Sequence, residues 1–177
     1  TRQQPAKTPT PTPEFSPTPI FVPVDINSNV DEDMNQVGVL AFSMMDGVHQ
    51  HIFIYHPQFF PLTRLTNSLW DDTHPKFSHD GTKLAYASNQ DGNWDIFILD
   101  LTNYSLTNIT STKSYESHPS WSPDDEWIVF ESDRNGSLDI YLQSVSDSAS
   151  EPIQLTLNET DEYQPAWSSN GRLIAYT

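Results

Sequence analysis

Apolar residues in this chain come in short blocks rather than long stripes. Leu40-Ala41-Phe42 is followed by Ile52-Phe53-Ile54, Leu84-Ala85-Tyr86 by Ile96-Phe97-Ile98, and Ile128-Val129-Phe130 by Ile140-Tyr141-Leu142; Ile174-Ala175-Tyr176 comes last. The blocks do not alternate with polar residues, so each predicts a short strand buried on both faces. Between the paired blocks lie Asp46-Gly47, Asp91-Gly92 and Asn135-Gly136. Such dipeptides make tight hairpin turns, because glycine accepts positive φ and Asp or Asn bonds its own backbone. No stripe of helical period persists, and proline or turn residues interrupt the chain about every 8–12 residues, which excludes a helical repeat.

A third signal precedes the last three units. His74-Pro75-Lys76-Phe77-Ser78-His79-Asp80-Gly81 matches His118-Pro119-Ser120-Trp121-Ser122-Pro123-Asp124-Asp125 and Gln164-Pro165-Ala166-Trp167-Ser168-Ser169-Asn170-Gly171. Leu65-Thr66, Ile109-Thr110 and Leu155-Thr156 close the units. The offset is 44 residues from Pro75 to Pro119 and 46 from Pro119 to Pro165. The two extra residues fall at the hairpin tip 146–151. Asp125 stands where the flanking units have glycine, a position that needs left-handed backbone. Each unit reads as four short antiparallel strands. Doubly buried sheets repeating every ~40–45 residues are the blades of a β-propeller. The predicted fold is therefore all-β, a partial propeller of about thirteen strands. It has whole blades at about 74–110 and 118–156, three strands of an earlier blade at 37–66, and two of a later one at 164–177. Thr177 falls in mid-strand, from which a longer natural chain is expected.

The ordered recurrence of Pro-x-Trp-Ser-Pro-Asp, an apolar triplet, Ser-x-x-x-Gly-x-x-Asp-Ile-Tyr and Leu-Thr resembles the TolB-type WD-like propeller repeat. The resemblance covers about Val37 to Thr177. It implies blades of a six- to eight-bladed ring, found in bacterial periplasmic and surface proteins and as the lid of prolyl-oligopeptidase-like enzymes. It also reaches a propeller lyase for pectin fragments that holds a metal with His and Gln in its channel.

The first 36 residues are different. Thr8-Pro9-Thr10-Pro11-Thr12-Pro13 and Pro17-Thr18-Pro19 favour extended polyproline II, so residues 1–36 read as a disordered Pro/Thr-rich linker. Spacers of this composition hold a domain away from a membrane anchor, which would lie upstream of Thr1. The chain carries 8 Lys+Arg against 24 Asp+Glu, a net charge of −16. That balance excludes nucleic acid and anionic membrane as direct partners, since both need a cationic surface. With no cysteine, disulfides, thiolate metal sites and cysteine nucleophiles are excluded. No apolar run is long enough to span a membrane.

Candidate chemistry is sparse. There is no Gly-x-Ser-x-Gly elbow, His-Glu-x-x-His or phosphate-cradling glycine loop, and no cofactor is expected. Asn89-x-Asp91-x-Asn93-x-Asp95 and Asp133-x-Asn135-x-Ser137-x-Asp139 space oxygens like the start of a calcium loop. Their glycines fall at the fourth position rather than the sixth, and hairpin tips tied down by Asp95 and Asp139 are the preferred reading. His49 and His51 share a strand face where a metal could be gripped, and His51 departs from the Asp of the other units. Trp70, Trp94 and Trp127 do not recur as aromatics and are expected to be partly exposed.

The loops entering the innermost strands gather Trp70, Asp71, Asp72 and His74; Tyr115, Glu116 and His118; Asp161, Glu162 and Tyr163. Repeat geometry brings all three to one face of the channel. The expected function is a non-catalytic binding or sensor module, periplasmic or at the cell surface. It would engage a protein or peptide, of basic character, through this acidic face. The alternative is the propeller part of an enzyme, either a serine peptidase lid or a metal-dependent polysaccharide lyase.

Overall fold

The structure is a computed structural model that describes residues 38–56 and 60–177. The expected linker, residues 1–36, lies outside the described residues. Among the described residues there are thirteen strands and no helix. The first sheet is β1 (Leu40–Asp46), β2 (His49–His56) and β3 (Phe60–Arg64). The second is β4 (Asp72–Phe77), β5 (Lys83–Ser88), β6 (Asp95–Asp100) and β7 (Leu106–Asn108). The third is β8 (Glu116–Trp121), β9 (Trp127–Ser132), β10 (Asp139–Ser144) and β11 (Ile153–Gln154). The last is β12 (Ala166–Trp167) paired with β13 (Ile174–Ala175). Every pairing is antiparallel and joins strands consecutive in sequence. These are the blades of a partial propeller.

The recurring sequence signals each have a hydrogen-bonding job. Thr66, Thr110 and Thr156 accept the backbone N–H of Ile52, Ile96 and Ile140 at 3.0, 2.9 and 2.9 Å, pinning the outermost turn of each blade to its third strand. Ser78, Ser122 and Ser168 accept the N–H of Lys83, Trp127 and Leu173 across the first hairpin. Their hydroxyls donate to Asp80, Asp124 and Asn170. Thus the Ser-x-Asp/Asn pattern is a turn lock in all three blades. Asp125 adopts φ 58°, matching Gly81 at 70° and Gly171 at 71°.

Blades stack face to face through two apolar clusters. Ile52, Ile54 and Leu65 of the first blade pack with Leu84, Tyr86, Phe97 and Leu99 of the second. Ala85, Ala87, Ile96 and Ile98, on the second blade's other face, pack with Trp121, Ile128, Phe130 and Tyr141 of the third. Burying apolar faces this way is the main drive for stacking, at roughly 25 cal/mol per Å² removed from water. Trp121 also donates its indole N–H to the Lys76 carbonyl at 2.9 Å, joining the two innermost strands. Trp70, Trp94 and Trp127 are half-buried, as their failure to recur implied.

Candidate functional site

The innermost strands β4 and β8 begin two residues ahead of His74 and His118, at Asp72 and Glu116. Each carries a register shift of one residue, between Thr73 and Lys76 and between Ser117 and Ser120. His74 and His118 have φ 54° and 50°, and the equivalent Gln164 has φ 53°. A residue before proline is sterically pushed toward extended backbone, so three left-handed X-Pro steps store strain. Strain of this kind persists only where surrounding contacts hold it.

Those contacts surround a cavity of 410 Å³ along the innermost strands. The three X-Pro steps line it together with Phe42, Ser43 and Lys76. The His74 and His118 rings lie 3.7 Å apart between centroids. His118 Nδ1 sits 2.8 Å from Glu131 Oε1, and Glu131 Oε2 accepts the backbone N–H of Gln164 at 2.8 Å. Ser117 Oγ meets His74 Nδ1 at 3.2 Å. One network therefore ties the second, third and fourth blades. Burial, and next the His118 charge, push His74 down to about 4, so it is neutral at pH 7. Burial alone would raise Glu131, but the His118 hydrogen bond, the Gln164 N–H and the two imidazoles outweigh it and hold this carboxyl below its ordinary value.

The sequence-predicted acids divide into two groups. Asp72, Glu116 and Glu162 are buried, at 1%, 0% and 5% exposure. Asp72 accepts from Ser68, Glu116 from Thr112, Ser132 and Arg134, and Glu162 from Asn158 and Thr160. They act as anchors of the loops entering each blade and leave Asp71 and Asp161 as the predicted acids with solvent access. Asp71 accepts the Gln50 N–H at 2.8 Å, and Asp161 the Leu138 N–H at 2.9 Å. Trp70 and Tyr115 are half-buried, and Tyr163 is exposed. Burial pushes the Glu116 carboxyl up to about 7, against the opposing pull of Thr112 and Arg134.

The other motifs resolve into internal contacts. Asp95 accepts from Asn108, Thr110 and Thr112, and Asp139 from Gln154 and Thr156, so both tie the start of the third strand to the outermost strand and the turn after it, not to the hairpin tip as expected. His51 is buried, and its ring stands 6.4 Å from that of His49. Among the described residues no three metal-ligating side chains cluster. Sequence reasoning missed Glu131. Its signal was a carboxylate directly after Ile128-Val129-Phe130, inside a strand expected to be buried on both faces.

A sequence profile of the TolB beta propeller domain matches residues 64–177. The chain belongs to this family. A protein named Protein TolB homolog from Chlorobium luteolum is 34% identical over 73 residues, which is 41% of this chain and 17% of that protein. The TolB structure from Agrobacterium tumefaciens superposes with a TM-score of 0.71 at 23% identity, over 78% of this chain and 49% of that one. A puromycin-hydrolyzing peptidase from Mycobacterium tuberculosis superposes with a TM-score of 0.58 at 11% identity, over 73% of this chain and 22% of that one. Both structural likenesses speak to the fold. The chain spans at most about half the length of these relatives.

Proposed function

We propose that this propeller is a non-catalytic binding module of the bacterial envelope, periplasmic or at the cell surface. Residues 1–36 serve as its spacer. Its channel-mouth face engages a protein or peptide segment. The observation that carries this reading is the cavity framed by three strained X-Pro steps, which His118, Glu131 and Gln164 cross-link into a preformed concave surface. Preformed pockets limit the ordering cost of binding. Membership of the TolB family supports a partner that is a protein. Exposed Asp161 and Tyr163 at the mouth, with a net charge of −16, support a basic segment steered electrostatically and anchored on aromatic surface.

The test compares oligolysine with oligoglutamate peptides binding to the full chain at low and high salt. Oligolysine should bind in a salt-sensitive manner, and Asp161→Asn with Tyr163→Ala should weaken it. Asp124→Asn removes the same charge at the far end of the innermost strand and should not. Equal weakening by both variants would mean attraction to net charge alone and would defeat the reading.

A further inference from the structure

We infer that Glu116 and Asp95 hold one proton between them across the seam joining the second and third blades, which makes this seam a buried proton-binding site. The three acids two residues ahead of His74, His118 and Gln164 share a peculiarity. Each has one oxygen supplied with donors and one buried oxygen with none: Asp72 Oδ1, Glu116 Oε2 and Glu162 Oε2. A buried carboxylate oxygen without a donor is costly, and the answer at each seam depends on the group facing it.

The middle seam shows what that answer is. Three donors converge on Glu116 Oε1: Thr112 Oγ1–H at 2.6 Å, Ser132 Oγ–H at 3.1 Å and Arg134 Nη2–H at 3.2 Å. Thr112 bridges this carboxyl to that of Asp95, itself 1% exposed, giving its backbone N–H to Asp95 Oδ1 at 3.2 Å and its hydroxyl to Glu116 Oε1, so Asp95 is the acid beside the unserved oxygen. Asp95 is already served by Asn108 Nδ2, Thr110 Oγ1 and the Thr112 N–H. Two carboxyl groups can bond to each other only if one carries a proton. With one proton the pair bears a single negative charge, which Arg134 balances. Lys113 nearby is exposed, Asp91 shares the Asn108 amide with Asp95, and Asp133 spends an oxygen on the Tyr115 N–H. Among the described residues, Arg134 is the one cation hydrogen-bonded to the pair. At the first seam His51 occupies the position of Asp95 and faces Asp72, so that seam has no carboxyl pair.

The sign of the pH dependence follows. Burial raises Glu116 from its ordinary value of 4.5 to about 7, so between those values the folded chain keeps a proton that the unfolded chain has released. The seam's contribution to stability is present below that window and declines as pH rises through it. His74 acts in the opposite sense over an overlapping range, so the parent curve alone mixes the two.

The test is therefore a difference measurement on the full chain. Melting temperatures of the parent, Glu116→Gln and Asp95→Asn are followed from about pH 5 to about pH 8, the interval that brackets the raised carboxyl. Both amide variants can donate the missing hydrogen bond without a titrating proton. Each should gain stability relative to the parent as pH rises. In parallel, side-chain carboxyl NMR of glutamate-labelled parent protein should show one group titrating near neutrality, shifted down in Asp95→Asn. If a variant fails to fold, this NMR titration on the parent decides. Glutamate carboxyls that all titrate in the ordinary range, or melting differences that stay constant with pH, would overturn the proposal. So would stabilisation by added calcium at the alkaline end that Glu116→Gln abolishes, since a cation would then stand where the proton is placed.

Discussion

Asp125 of the third blade accepts the backbone N–H of His79 in the second at 2.7 Å, and its other oxygen takes the Asp80 N–H at 3.0 Å. A residue standing in a glycine position thus clamps the neighbouring turn. Asp125→Gly should relax the backbone but lose both bonds, leaving the protein less stable by about 1 kcal/mol. Asp125→Ala loses the bonds and keeps the left-handed strain, for a further ~0.5–1 kcal/mol. Urea unfolding of the three proteins should give the order parent, Gly, Ala. Glycine equal to or above the parent would show that the clamp does not outweigh the strain, and alanine equal to or above glycine that the left-handed backbone costs nothing.

Trp121 and Trp167 occupy the same repeat position but differ in one atom's surroundings. Trp121 Nε1–H reaches the Lys76 carbonyl, whereas Trp167 Nε1 is buried without an acceptor. Trp121→Phe should cost about 1–2 kcal/mol, because a carbonyl loses its donor and ring volume is lost. Trp167→Phe should cost clearly less, since it also removes an unsatisfied donor. Phe77, the equivalent ring in the second blade, shows that the position accepts phenylalanine. Equal costs in denaturant melts would refute the cross-strand bond.

His74 predicts an acid weakness. Burial and the His118 charge hold it at about 4, below the ordinary 6.5, so the unfolded chain takes up a proton first as pH falls. Its contribution is intact above that window and lost as pH drops from about 6.5 towards about 4. His74→Gln copies the side chain found at Gln164 and removes the titration. The variant should lose less melting temperature than the parent between neutral and acid pH. Parallel curves would reject the assignment.

Arg134 lies 4.4 Å from the Tyr141 ring centroid and 5.6 Å from that of Phe130, while its Nη2 bonds Glu116. Arg134→Lys cannot keep the planar stacking and the fork together, and should cost about 1–2 kcal/mol. Arg134→Met removes the charge as well. Its cost should grow with pH as Glu116 ionises, whereas that of Arg134→Lys should change less. Chemical denaturation at acid and alkaline pH measures both.

The strand order and the blade count were legible because glycine, proline and the apolar triplets are local signals that recur. Asp125 was legible for the same reason, since its neighbours in the repeat are glycines. The buried acids were not. Asp72, Glu116 and Glu162 stand beside turn residues and read as a solvated rim, because residue type alone does not say which side of a strand start a carboxylate takes. Their donors Ser68, Thr112 and Asn158 stand at one repeat position, four residues before each acid, but as three different polar loop residues they gave no sign of a buried partner. Glu131 was hidden differently. It replaces Ala87 of the second blade, and its partners His118 and Gln164 come from two different innermost strands.

The one-residue register shift in each innermost strand has an arithmetic effect. Asp72 pairs with Ser88 and Phe77 with Leu84, so two residues five apart lie on the same side of the sheet. In an unbroken strand an odd separation would send them to opposite sides. His74-Pro75 is thus a phase changer: it lets one six-residue strand aim a carboxylate and an aromatic ring at the same preceding blade. Glu116 and Trp121 repeat the arrangement. Because the two halves keep separate phase, the polar half of a seam can vary while the aromatic half stays fixed. His51, Asp95 and Asp139 are three versions of that polar half. A ring built this way can be retuned one joint at a time, with each interblade contact free to acquire its own chemistry while the stacking geometry is inherited unchanged.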